Sequence, residues 1–193
     1  GRPVFDADGE PVKEKVEVTI RAFKVVKTFD LSQTDGKELP TIGPSELVGN
    51  IEGYPKLLQA LQEISPVPVS FELIDGDAKG FYHLEDKKIV VQDGMSEVQT
   101  IKTLLHEMAH QKLHDKDNVP EAKDISRNGK EVEAESVAYV VCQHYGINTS
   151  DYSFSYVAGW SEGKETPELK ASLDKIRQTA SEFIYQIDQK MEV

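Results

Sequence analysis

Apolar residues alternate with polar ones at Val16, Val18 and Ile20, and Phe23, Val25 and Val26 follow after a slip of phase. That pattern predicts a strand with a bulge. The polar residues 1–14 ahead of it are expected to fray, and Asp35-Gly36 with Pro40 and Pro44 end it. Leu57, Leu58, Leu61 and Ile64 then recur at helical spacing after Pro55, which predicts a short helix stopping before Pro66. Val67, Val69, Phe71 and Leu73 alternate as a strand, and residues 80–92 read as a hairpin turning at Glu85-Asp86. Three helices are predicted beyond it. Ser96 and Gln99 form a capping box that opens the first, from about 97 to 114. The second runs from about 130 to 145 and stops at Gly146. The third opens at Thr166-Pro167 and carries a stripe of Leu169, Leu173, Ile176, Ala180, Phe183, Ile187 and Met191, expected to pack on the domain. Strands followed by helices predict an α+β domain. Residues 1–45 read as an extended segment linking to an upstream module, and 46–193 as one domain ending in the helix 166–191.

Composition narrows the choice. A chain of 193 residues suits one compact domain. Its longest apolar run, Val137 to Cys142, is far short of a membrane span, so no membrane contact is expected. The net charge of −12 argues against stand-alone binding of nucleic acid, and the densest basic pairs are only Lys24/Lys27 and Lys87/Lys88. Cys142 is the one cysteine, which excludes an internal disulfide and a Cys-rich zinc module and reads as a cytoplasmic chain. Gly1-Arg2-Pro3 has neither an initiator Met nor a signal-peptide pattern, as expected of an excised piece or a cloning remnant.

The chemistry concentrates in His106-Glu107-Met108-Ala109-His110, an H-E-x-x-H. On a helix the two imidazoles lie one turn apart and can reach one zinc ion, while Glu107 is placed to accept a proton from a water held there. On a helical wheel started at Val98, the residues Ile101, Leu104, Leu105, Met108, Ala109 and Leu113 share one arc with it, roughly 240° through 0° to 60°. Thr103, His106, Glu107, His110 and His114 fill another, roughly 80° to 180°, which is either a cleft wall or a solvated face. A third ligand is needed. His114 stands eight residues from His106, about 12 Å along the axis, so one ion cannot join all three histidines and His114 is expected to play a supporting part. Glu131 and Glu135, one turn apart at the edge of the apolar face of the next helix, are better sources: one can bind metal while the other orients a histidine. The same wheel points Glu133 to solvent.

His106-Glu107-x-x-His110-x-x-x-His114 followed by Glu131-x-Glu133-Ala134-Glu135-x-Val137-Ala138 resembles the ImmA/IrrE family of zincin-like metallopeptidases. Their second helix reads E-x-x-A-N-x-F-A, which implies Glu131 as the ligand glutamate, with Glu135 standing here for Asn and Val137 for Phe. Residues 80–145 carry the resemblance. It implies a zincin-like fold in which the hairpin strand runs beside the metal. Phe29 to Gly36 and Glu131 to Glu135 also resemble the ArdC-like and LtrC-like proteins of plasmids and conjugative elements, where a single-stranded-DNA-binding module precedes a zincin domain.

Other candidates carry blander readings. Tyr152, Phe154, Tyr156 and Trp160 are expected to pack between the last two helices or to line a groove. Cys142 reads as inert core, and His83 as a partly exposed hairpin residue with a less favoured role at an oxyanion. The expected function is a zinc peptidase acting on a protein or peptide, with His106, His110 and Glu131 on the ion and Glu107 as base. The alternative is a catalytically silent zincin scaffold that binds a protein partner in an antirestriction-type role.

Overall fold

A computed structural model describes Phe5, residues 47–150, Ser153 and residues 166–191. The strand predicted at 16–26, the link to an upstream module and the aromatic loop of Tyr152, Phe154, Tyr156 and Trp160 lie outside the described residues. Within them the protein is α+β, a small mixed sheet of three strands with four helices. Among the described residues no helix is long and apolar enough to cross a membrane.

Helix α1, Tyr54–Ile64, begins at Pro55 as its sequence requires and buries Leu57, Ala60 and Leu61. Strand β1, Val69–Glu72, pairs in parallel with β3, Lys88–Gln92, aligning Val69 with Ile89. Strand β2, Gly80–His83, pairs antiparallel with the other side of β3, aligning Gly80 with Val91, so the order is β1-β3-β2. The central strand buries Ile89, Val90 and Val91, an unbroken apolar run suited to a strand covered on both faces. His83 Nδ1 accepts the N–H of Asp86 at 3.1 Å and so closes the hairpin turn.

Helix α2, Glu97–His114, spans the predicted range. Ser96 caps it by accepting the N–H of Gln99, but the reciprocal half of the capping box is not made. Gln99 instead accepts the N–H of Leu47 through Oε1 and donates to Thr103 through Nε2, while Glu97 accepts the N–H of Ile51. The first turn therefore spends its polar groups on tying down residues 47–51. Fourteen of the eighteen residues of α2 are buried, so its polar arc is no solvated face.

Helix α3, Arg127–His144, starts three residues before the predicted 130 because Ser126 caps it, accepting the N–H of Gly129 at 3.1 Å. A 3₁₀ turn at Pro120–Asp124, which periodicity did not foretell, precedes it. Gly146 follows its end with φ 73°, the left-handed value that stops a helix. Helix α4, Thr166–Met191, lays Ile176, Ala180, Phe183 and Ile187 into the core, as the stripe predicted, while Leu173 stays exposed. Because α4 packs on α3 as well as α1, α3 has two covered sides rather than one.

Sheet and helix approach each other closely at Gly80. A Cβ built there would stand 2.7 Å from Thr103 Cγ2 and 3.0 Å from the backbone oxygen of Val90, with Glu107 Cγ next at 3.4 Å. Only a residue without a side chain lets β2 lie against this turn of α2. Gly80→Ala is expected to destabilise the fold by about 1–3 kcal/mol, since one contact is with backbone that cannot move aside. Urea denaturation of the variant beside wild type measures it.

Candidate metal centre

Helix α2 presents His106 and His110 one turn apart, and α3 brings Glu131 across to them. His106 Nε2 and His110 Nε2 are 3.0 Å apart, and Glu131 Oε2 lies 3.4 Å from the first and 3.6 Å from the second. Ligand atoms on a tetrahedral ion at about 2.0–2.1 Å stand about 3.3–3.4 Å from one another. The three residues therefore fit one small cation, and two imidazoles with a carboxylate form a donor set that suits zinc.

The electrostatics favour a positive charge at this point. Burial pushes His106 down, but its hydrogen bonds with Glu131 and Glu135 more than offset that and raise its pKa to about 9. Hydrogen bonds from His106 and then His110 hold Glu131 well below the usual carboxylate range.

Glu135 does not reach this triangle. It is wholly buried and its Oε2 accepts from His106 Nδ1 at 3.0 Å, which keeps a proton on Nδ1 and would leave Nε2 to a metal that displaces its other proton. The same oxygen is 2.7 Å from Lys102 Nζ, and Oε1 accepts from Ser153 Oγ at 2.7 Å. Burial would raise the Glu135 carboxyl, but the His106 hydrogen bond and the Lys102 charge hold it at about 2. Lys102 escaped the sequence reading, although its wheel position near 40° set a lysine inside the apolar arc. A charge on a buried face requires a buried counter-charge, and that was the available signal.

Glu133 does not point to solvent. It is 2% exposed, with Oε2 3.0 Å from His114 Nε2 and Oε1 accepting from Ser172 Oγ of α4 at 2.7 Å. The wheel erred because it allowed α3 a single covered face, whereas α4 covers the side on which Glu133 lies. Val132, wholly buried near 100° on that wheel, lay outside the predicted face and was the overlooked sign. His114 is outside the triangle of His106, His110 and Glu131, and its Nδ1 is 2.9 Å from His110 Nδ1.

Glu107 is 7% exposed and makes no hydrogen bond among the described residues. It lines a cleft of about 660 Å³ together with His106, His110 and Glu131, opposite Gly80, Phe81 and Tyr82 of β2. Among the described residues β2 is an edge strand of the sheet, so one cleft wall is a strand edge. His83 is not among the lining residues. Cys142 is wholly buried and burial pushes its thiol to about 12, which leaves it unreactive.

No family model matches the chain, and no solved structure matches it. An uncharacterized protein of Bacillus anthracis, pXO2-81, is 33% identical to it over 196 residues. The match takes in 92% of this chain and 33% of the relative, so the chain spans about a third of the length of that protein.

Replacing Glu135 with Gln removes the carboxylate 2.7 Å from the buried Lys102 ammonium, an expected loss of about 3–5 kcal/mol. The depressed Glu135 pKa also sets a pH dependence. With about 2 in the folded chain against an ordinary 4.5, the ionised carboxylate stabilises the fold fully above 4.5. That contribution is lost as pH falls from about 4.5 through 2. Denaturation curves across this window should show wild type losing stability with acid, and Glu135→Gln losing correspondingly less.

Proposed function

We propose that the domain is a zincin-like, zinc-dependent peptidase that hydrolyses a peptide bond in a protein partner, with His106, His110 and Glu131 holding the ion and Glu107 serving as general base. The observation that carries this reading is Glu107 itself. A buried carboxylate without a hydrogen-bond partner among the described residues is costly, and it stands on a cleft wall beside three converging donors. A metal held only for structure gains nothing from such a group, and a closed structural site would offer no cleft.

Bound there, zinc would supply Lewis acidity, making water a better nucleophile and polarising the peptide carbonyl. Glu107 accepts the proton of the attacking water and then donates it to the leaving amine, which must depart as a neutral group. Strand β2 offers backbone groups along one side of the cleft, and an extended peptide can pair with such an edge. The resemblance to ImmA/IrrE peptidases and to ArdC-like and LtrC-like proteins supports the same chemistry and suggests a cytoplasmic protein of a plasmid or conjugative element.

Elemental analysis is expected to find about one zinc per chain, lost in His106→Ala, His110→Ala and Glu131→Ala. A wild-type chain that takes up no zinc overturns the reading. Glu107→Gln keeps all three ligands, so its zinc content should match wild type while hydrolysis of a mixed peptide library falls by about 10²–10⁴. Unchanged hydrolysis in that variant sinks the general-base role. A cellular effect that survives it, with no cleavage by either protein, favours the silent scaffold instead.

A further inference from the structure

We propose that His114 and Glu133, braced by Ser172 of the C-terminal helix, are positioning residues that hold His110 in the tautomer able to bind a metal through Nε2. This rests on the metal-site reading above and assigns to that site three residues beyond its ligands and base.

His110 faces Glu131 and His106 with Nε2, so a metal at that point needs the Nε2 lone pair and the ring proton must sit on Nδ1. Nδ1 of His110 is 2.9 Å from Nδ1 of His114, and two protonated nitrogens cannot face each other at that distance. His110 must therefore donate, and His114 must accept with a bare Nδ1. A neutral imidazole bare at Nδ1 carries its proton on Nε2, and that atom is 3.0 Å from Glu133 Oε2. Glu133 must then be an ionised acceptor. Its other oxygen accepts the Ser172 hydroxyl at 2.7 Å, so both oxygens of a carboxylate 2% exposed are satisfied.

The two histidine ligands are thus held by different devices. His106 donates directly to the carboxylate of Glu135, while His110 reaches a carboxylate only through a second imidazole. Sequence spacing explains the difference. His114 follows His110 by one helical turn, so their rings lie 5.1 Å apart, and Glu133 sits on the flank of α3 away from Glu135. A purely structural account, in which His114 and Glu133 only pin α2 to α3, places no demand on which nitrogen carries the proton.

Two measurements test it. Long-range ¹H–¹⁵N spectra of the labelled protein, with and without zinc, should show His114 protonated at Nε2 only. A proton on its Nδ1, alone or together with Nε2, at neutral pH overturns the proposal. Zinc affinity by chelator competition should fall about 10–100-fold in Glu133→Gln, because an amide can turn its NH₂ toward His114 and no longer dictates the tautomer. Ser172→Ala, which removes one hydrogen bond and leaves the carboxylate, should weaken zinc less and serves where Glu133→Gln fails to fold. A wild type that binds zinc, with folded variants that bind it equally tightly, overturns the relay alone. A wild type that binds none overturns the metal site and the relay with it.

Discussion

Lys102 Nζ and Glu135 Oε2 stand 2.7 Å apart with both side chains almost wholly removed from water, and the site is arranged around that pair. An isolated buried charge would cost several kcal/mol, so neither residue tolerates loss of the other. The pair pins the middle of α2 to the middle of α3 at one height along both helices. With that height fixed, Glu135 meets His106 Nδ1, and Glu131, one turn earlier on α3, falls level with the two Nε2 atoms. Burial of Lys102 lowers its pKa, and the neighbouring carboxylate of Glu135 opposes that fall. The register of the candidate ligands is in this sense a consequence of charge pairing in the core.

The same constraint governs the rest of α2. A helix with fourteen buried residues, many of them polar, needs partners for its polar groups, and its neighbours supply most of them. Gln99 and Glu97 take up the backbone of residues 47–51, His106 takes Glu135, and His114 takes Glu133. Glu107 is the buried carboxylate of α2 that makes no hydrogen bond among the described residues, and it lines the cleft.

What the chain discloses unaided follows how local each signal is. The spacing of His106 and His110, the cap at Ser96 and the stripe of α4 depend on neighbours within one or two turns, and the structure places them as the sequence predicts. Glu131 and Glu135 come out at the edge of a buried face by the same periodicity. Glu133 does not, because its environment is set by Ser172, thirty-nine residues away, on a helix whose docking face the periodicity of α3 cannot reveal. Lys102 and Val132 both stood in places that a single-faced helix should not allow, a charge inside the apolar arc and an apolar residue outside it. Such mismatches record tertiary cover that periodicity alone does not describe.

Three carboxylates at alternate positions of α3 end in three different settings, although they are one residue type within one and a half turns. Glu131 is the most exposed and faces the cleft, where it shares the triangle with His106 and His110. Glu135 lies beneath, neutralising Lys102 and orienting one imidazole. Glu133 lies to the side, where α4 closes over it and a second imidazole links it to His110. Burial, charge balance and hydrogen bonding thus separate their roles more sharply than the sequence motif does. In the register observed, Glu135 stands against Lys102 and Glu131 is the one of the three that lines the cleft.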